Sequence, residues 1–272
     1  MLAELIRANQ PCIVLTGAGV STESGIPDFR SAGGIWARFD PYEVASIDAF
    51  HRDPGRVWEF YALRLGVLAE AQPNEAHRAL AALEGAGLVA AVVTQNVDGL
   101  HQAAGAVDVV ELHGNLDRVV CLTCGDRSSR WDLDERLRLA NPSYTVTSDE
   151  IRPDGDIALN ELDVAAFRAP QCLVCGQDTL KPEVVFFGES VPKPLVESCF
   201  RLTDEAGALL VLGSSLKVMS GYRFVRRAAA RGIPVVIITR GPTRGDAEAT
   251  HQLDAPLGAT LTELVRRLDP AA

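Results

Sequence analysis

The sequence predicts an α/β protein, a doubly wound, Rossmann-like parallel sheet with a smaller module inserted into it. Three observations carry this. Six short runs are apolar throughout rather than alternating, as expected of strands covered on both faces. Helical patterns lie between most of them, the connection that parallel strands need. Four cysteines gather in a region that breaks this rhythm. The strand candidates are residues 11–16 (PCIVLT), 88–94 (LVAAVVT), 107–112 (VDVVEL), 184–187 (VVFF), 208–212 (ALLVL) and 233–239 (IPVVIIT). Helical pattern covers 56–71, 74–84 after Pro73, 194–205 and 221–231. Residues 32–72 carry helical pattern without a strand, and 121–181 carry the cysteines around a polar, turn-rich middle at 141–155. The expected sheet domain is therefore discontinuous, comprising 1–31, 80–118 and 182–272. A helical insertion at 32–79 and a cysteine module at 119–181 form the small domain.

Composition narrows the function classes. The chain has 272 residues, 47% apolar and 23% charged, with a net charge of −10. That is an ordinary globular balance. The acidic surface argues against nucleic acid and anionic membrane as partners, since both need basic patches. No run approaches the roughly 20 apolar residues of a membrane span. The first ten residues lack the basic and apolar regions of a secretion signal, and six cysteines are too few for a disulfide scaffold. The expected setting is a reducing cytoplasm.

Gly17-Ala18-Gly19 follows the first strand directly. Glycines there let backbone approach a pyrophosphate, and a following helix N-terminus offers N–H groups to it. The third glycine of a dinucleotide fingerprint would fall at Thr22 and is missing, so the loop alone fits a tight turn equally well. A hydride-transferring dehydrogenase would also want an acidic residue about 20 positions on, at a strand end. Glu43 lies near that distance, but in the helical insertion.

The continuation is more specific. Residues 17–30 read GAGVSTESGIPDFR, followed in order by Gln95-Asn96-Val97-Asp98, Leu112-His113-Gly114, Val185-Phe186-Phe187-Gly188-Glu189, Gly213-Ser214-Ser215-Leu216 and Thr239-Arg240-Gly241. Each motif falls at or beside the carboxyl end of an expected strand, where an open α/β sheet binds its ligand. The series resembles the sirtuins, NAD-dependent protein-lysine deacylases, over residues 10 to 260. The resemblance implies that NAD is consumed as a co-substrate. The acyl-lysine amide oxygen attacks the anomeric carbon and nicotinamide leaves. His113 then accepts a proton relayed from a ribose hydroxyl, and the activated hydroxyl attacks the acyl carbon. Water releases the amine, and the products are lysine, nicotinamide and O-acyl-ADP-ribose. A histidine suits a base near neutral pH. Asn96 and Asp98 would hold the nicotinamide carboxamide and ribose, although both also suit capping of a helix at 97–104. Gly17, Ala18, Gly19, Ser21, Thr22, Asp28, Phe29, Arg30, Gln95, Gly213, Ser214, Ser215, Thr239, Gly241 and Leu257 complete the implied NAD contacts. At Thr239 the family usually has Asn, so an amide contact is lost there. Val185, Phe186, Phe187 and Gly188 would pair with the substrate backbone as an added strand.

Cys121-Leu122-Thr123-Cys124 and Cys172-Leu173-Val174-Cys175 each precede a glycine and form two CxxC pairs. Four thiolates can complete a closed tetrahedral zinc site, structural rather than catalytic. Redox-active CxxC is the rival reading, but two such pairs in one acidic chain favour metal, with one Zn2+ expected per chain. Residues 125–171 separate the pairs, beyond the roughly 15–20 of a compact four-cysteine finger, so a segment must loop out. Cys12 and Cys199 lie in apolar runs and read as core residues.

Tyr61 and Arg64 stand at i and i+3, on one helix face. In sirtuins that prefer acidic acyl groups, a Tyr/Arg pair of this spacing binds the acyl carboxylate, and an Arg fork suits that geometry. Ser21-Thr22-Glu23-Ser24, Pro153-Asp154-Gly155-Asp156, Ser220-Gly221-Tyr222-Arg223-Phe224 and Gly241-Pro242-Thr243-Arg244 look like the class II lineage. The expected partners are acyl-lysine proteins, with the chain acting as a monomer. Two other functions use the same residues: mono-ADP-ribosyl transfer to protein, and binding of NAD or acyl-lysine without turnover.

Overall fold

The computed structural model describes residues 2–142 and 168–268. The elements in order are α1 (Leu2–Ala8), β1 (Cys12–Thr16), α2 (Pro41–Val44), α3 (Ile47–Arg52), α4 (Pro54–Glu70), α5 (Glu75–Gly85), β2 (Val89–Thr94), α6 (Leu100–Ala103) and β3 (Val109–Glu111). Then come β4 (Gly114–Cys121), β5 (Arg127–Ser129), α7 (Arg130–Ala140), β6 (Leu180–Val184), α8 (Lys193–Glu205), β7 (Ala208–Leu212), α9 (Met219–Ala230), β8 (Val235–Ile238), β9 (His251–Leu253) and α10 (Leu257–Leu268). The chain divides into two compact units: Met1–Asp28, Ala71–Gly114 and Ser190–Ala272, and then Phe29–Glu70 and Asn115–Glu189.

The first unit is a parallel sheet of order β3-β2-β1-β7-β8-β9. Strand order reverses between β1 and β7, the topological switch point of a doubly wound fold. Both faces are buried, which explains the unbroken apolar runs. Cys12, Val14, Val92, Leu210, Leu212, Val236 and Ile238 point into one core, with α5 and α10. Ile13, Leu15, Val93, Leu209, Val211 and Ile237 point into the other, with α8 and α9. Asn74 opens α5 with a reciprocal capping box, its side chain accepting from Ala76 and His77 amides while His77 Nδ1 accepts from Asn74 N–H.

The second unit holds α2–α4, α7 and a three-stranded sheet of order β5-β4-β6. In it Trp58 is fully buried and donates its indole N–H to the Leu180 carbonyl at 3.0 Å.

Three expectations change. The run 184–187 is not a strand of the large sheet. β6 lies at Leu180–Val184 in the small sheet, and Phe187 forms an isolated parallel bridge to Ser46. Its apolar character serves ring packing instead. The large sheet gains β9, a half-exposed polar strand that no apolar run marks. Residues 71–79 fall in the first unit, and 29–31, 115–118 and 182–189 fall in the second. Helix α5 goes with the sheet because Ala76, Ala79, Leu80 and Leu83 pack on it.

Candidate active site

The first unit assembles its chemistry from strand ends in register. Thr16 pairs with Thr94 and Leu212, and Leu212 pairs with Ile238, so the loops at Gly17, Gln95, Gly213 and Thr239 leave the sheet side by side. At the switch point two of these loops touch backbone to backbone. A Cβ on Gly17 would lie 2.8 Å from Ser214 Cβ, and one on Gly19 2.8 Å from the Gly213 carbonyl oxygen. Gly213 has φ +63°, and a Cβ there would lie 2.5 Å from Val20 N. The glycines are thus required by loop-on-loop packing. The amides of Gly17, Gly19, Val20 and Ser21 donate to Leu212, Gly213, Gly17 and Ala18 carbonyls. No long helix follows, only 3-10 turns at Ala18–Val20 and Thr22–Ser24. The amides of Gly17, Gly19, Val20 and Ser21 are accordingly engaged within the protein.

Ser21 is buried, and its hydroxyl donates to Asp98 Oδ2 at 2.7 Å and accepts from Asn96 Nδ2 at 3.0 Å. With its amide and hydroxyl protons both engaged, Ser21 orients Asn96 and Asp98 and has no proton to offer a phosphate. Asp98 Oδ1 accepts from the Leu100 amide at 3.1 Å, so the capping role expected of it coexists with the Ser21 bond. Thr22 turns its hydroxyl back to the Gly19 carbonyl.

His113 follows β3. Its Nδ1 lies 2.9 Å from the Gln95 backbone carbonyl oxygen and its Nε2 lies 2.8 Å from Ser220 Oγ. A carbonyl only accepts, so Nδ1 carries the proton and Nε2 presents its lone pair, receiving the Ser220 hydroxyl. Gln95 is the hub. Its amide donates to Thr16, its carbonyl fixes His113, and its side-chain oxygen accepts from Ser214 Oγ at 2.6 Å. Ser220 is a site residue that sequence reasoning did not assign, because only the fold brings α9 to His113. Gly221 permits that approach, since a Cβ there would lie 2.7 Å from Gln95 Nε2.

Beyond β8 and β9 a cavity of about 260 Å³ is lined by Thr239, Gly241, Thr243, Asp246, Gln252 and Asp254. Asp254 accepts from the Gly241 amide at 3.3 Å. Leu257 is core, 4% exposed, so its side chain does not reach a ligand. The Ser215 carbonyl accepts from the Arg244 amide.

In the second unit the sulfurs of Cys121, Cys124, Cys172 and Cys175 all lie within 4.8 Å of one another. Cys121–Cys175 is 3.6 Å and Cys124–Cys172 is 3.7 Å. A tetrahedron with Zn–S of about 2.3 Å has edges of about 3.8 Å, so the donor set fits zinc. The two knuckles are built alike. Gly125 and Gly176 amides each donate 2.9 Å to the carbonyl of the first cysteine, and Cys121 and Cys172 amides each donate 2.8 Å to residue i+5.

The same unit stacks aromatic rings. Tyr61 lies flat on Phe186 at 5.3 Å, and Trp36 stacks on Phe29 at 5.0 Å. The Arg64 guanidinium stands 5.0 Å over the Phe29 ring. Burial pushes the Tyr61 phenol above its usual range, with Arg64 opposing and Glu189 reinforcing the shift. The lineage motif Pro153-Asp154-Gly155-Asp156 lies outside the described residues.

A model of the Sir2 family matches residues 17–220. The chain belongs to the Sir2 family. Among relatives of this Sir2 chain is NAD-dependent protein deacetylase 1 of Streptomyces coelicolor, 50% identical over 267 residues, covering 98% of this chain and 89% of that one. The human mitochondrial NAD-dependent protein lipoamidase sirtuin-4 is 42% identical over 272 residues, covering 99% and 85%. A solved Sir2 homologue in complex with NAD has a TM-score of 0.81 at 33% identity, covering 99% of this chain and 93% of its own. A Sir2 complex with a p53 peptide and NAD has a TM-score of 0.79 at 30% identity, covering 98% and 96%. Among the described residues no helix is long and apolar enough to cross a membrane.

Proposed function

We propose that this Sir2-family enzyme removes acyl groups from protein lysines at the expense of NAD, with His113 as the base. The observation that carries this is the pair of contacts that His113 makes, Nδ1 to the Gln95 carbonyl and Nε2 to Ser220 Oγ. Nδ1–H is held by the Gln95 carbonyl, leaving Nε2 as the nitrogen that takes a proton. Ser220 donates to Nε2 in the resting enzyme and yields that place to a ribose hydroxyl. Asn96 and Asp98, oriented by Ser21, hold the carboxamide and ribose on the nicotinamide side. Gln95, Ser214, Ser215, Thr239 and Gly241 serve the adenosine side, and the polar cavity at Thr239 and Asp254 is suited to ribose hydroxyls. Ala18, Thr22, Asp28, Phe29 and Arg30 complete the NAD contacts. NAD supplies an electrophilic anomeric carbon with nicotinamide as its leaving group. Zinc on the four cysteines supplies folding energy and takes no part in the reaction.

The acyl specificity rests on Tyr61 and Arg64. The phenol stays neutral and can donate, and Arg64 is a half-buried cation within the aromatic cluster. Longer or acidic acyl groups then react at least as well as acetyl, in keeping with the lipoamidase name of one relative and in contrast with the deacetylase names of others. The enzyme works as a monomer in the cytoplasm on acylated proteins, without nucleic acid or membrane.

A panel of acyl-lysine peptides, with kcat/KM and product analysis for each, tests this. O-acyl-ADP-ribose is the expected product. ADP-ribose attached to protein would instead support transferase activity. His113→Asn is expected to lower kcat about 10²- to 10⁴-fold with NAD still bound. Undiminished turnover in that variant would remove His113 as the base.

A further inference from the structure

Residues 185–188 are the proposed substrate-pairing segment, and the structure shows what holds them. On one edge Phe187 N–H donates to the Ala45 carbonyl at 2.9 Å, and Ile47 N–H donates to the Phe187 carbonyl at 3.0 Å. Within the segment Phe186 N–H donates to Glu189 Oε2 at 2.8 Å, and Glu189 N–H donates to the Phe186 carbonyl at 3.0 Å. The amide protons of both phenylalanines are therefore engaged, and an added strand receives none from either.

Lys181 lies on β6 and is 3% exposed. Its ammonium donates to the Val184 carbonyl at 2.7 Å, the Pro182 carbonyl at 3.2 Å and Glu189 Oε2 at 3.1 Å, using all three protons. It also sits 4.0 Å from the centre of the Phe186 ring, which packs against the rings of Tyr61 and Phe50. Burial pulls the Lys181 pKa down and Glu189 opposes that. A buried ion pair is weak as a source of stability, because desolvation offsets its attraction and apolar residues of similar size often do as well. Apolar residues would not, however, tie together the carbonyls of 182 and 184, the amide of 186 and the face of its ring. What the pair provides is a shape.

The geometry points to Lys181 and Glu189 as positioning residues for the acyl-lysine substrate, a buried ion pair that fixes the 185–188 backbone and the Phe186–Tyr61 stack. This rests on the deacylase function and substrate segment proposed above. The substrate backbone meets a strut set before it arrives, so the pair acts on peptide affinity and leaves NAD affinity alone.

Steady-state kinetics on acyl-peptide and on NAD, with bound zinc measured in each variant, test the assignment. Lys181→Met and Glu189→Ala are expected to raise the peptide KM about tenfold or more, with the NAD KM within about twofold of wild type. Glu189→Gln keeps an acceptor for the Phe186 amide and has a smaller effect, and Lys181→Arg restores near-normal peptide KM. Amide exchange at Phe186 should quicken in Lys181→Met and not in Lys181→Arg. A wild-type enzyme that forms no acyl-ADP-ribose would remove the deacylase function itself. An active wild type with unchanged peptide KM in Lys181→Met, or with peptide and NAD KM rising together, removes only the positioning role. Should a single variant lose its zinc and fold, the K181M/E189Q double variant leaves no unpaired charge. A normal peptide KM in that protein would equally overturn the proposal, and a raised one would support it.

Discussion

In the first unit, chemistry-bearing side chains sit on loops that leave adjacent parallel strands in register, locked by glycine contacts and a web of polar side chains. In the second, two of the three sheet strands run only three and five residues, and the order comes from four thiols and a stack of rings. The first unit is ordered by a sheet buried on both faces. The second has little sheet to rely on, so its shape hangs on a few point attachments. Perturbations should separate the two accordingly.

Removing the metal ligands gives the largest expected effect. Structural zinc contributes on the order of 10 kcal/mol to the folding of small domains. Cys124→Ser, or extraction with a strong chelator, should abolish zinc content and lower deacylation at least about 100-fold, while calorimetry still detects NAD binding by the first unit. Full activity in a zinc-free preparation would show that the thiol cluster is dispensable. Gly213→Ala strikes the other unit. A β-carbon there meets Val20 N at a left-handed φ, with an expected loss of about 2 kcal/mol or more in denaturant unfolding. NAD affinity should fall with it, and zinc content should not.

A third effect concerns pH. His101 is buried beside His77, and burial, reinforced by His77, lowers its pKa from 6.5 to about 3. At His101 the unfolded chain therefore binds a proton that the folded one does not between these values, and burial lowers the His77 pKa as well. This contribution to stability is complete above about pH 6.5 and is lost as pH falls toward 3, at about 1.4 kcal/mol per pH unit. Unfolding free energies measured between pH 7 and pH 4.5 should show that slope, and His101→Gln should flatten it. An unchanged slope in the variant would assign the proton elsewhere.

The first unit was also the more legible in sequence. Runs such as ALLVL are apolar at every position because both faces of β7 are covered, and the motifs at their ends fall where the sheet puts them. Local pattern fails where a tertiary contact decides. VVFF looks like a core strand, yet Phe186 packs on Tyr61 and Phe187 on Trp36 and Tyr42, while the strand itself sits earlier, across Lys181 and Pro182. β9 reads as loop because an edge strand of His, Gln and Leu carries no apolar signal. Helix α10 was within reach, with Leu257, Leu261, Leu264 and Leu268 forming a buried stripe. The four cysteines were readable from their two CxxC pairs together with the family resemblance, although the gap between the pairs is long. Ser220 was not, since its partnership with His113 spans 107 positions and exists only in the fold.

The meeting of Gly17, Gly19 and Gly213 restricts how this enzyme can be altered. Each of the three is held small by backbone on the other side, so none has room to grow while the other loop stays put. Libraries meant to reshape the nucleotide pocket should leave all three fixed and diversify Thr239 and Asp254, whose side chains do not share that contact. Had the loops been kept apart by side chains, the pocket could be retuned one position at a time. As built, the meeting of these loops is inherited whole, and only the side chains around it are open to variation.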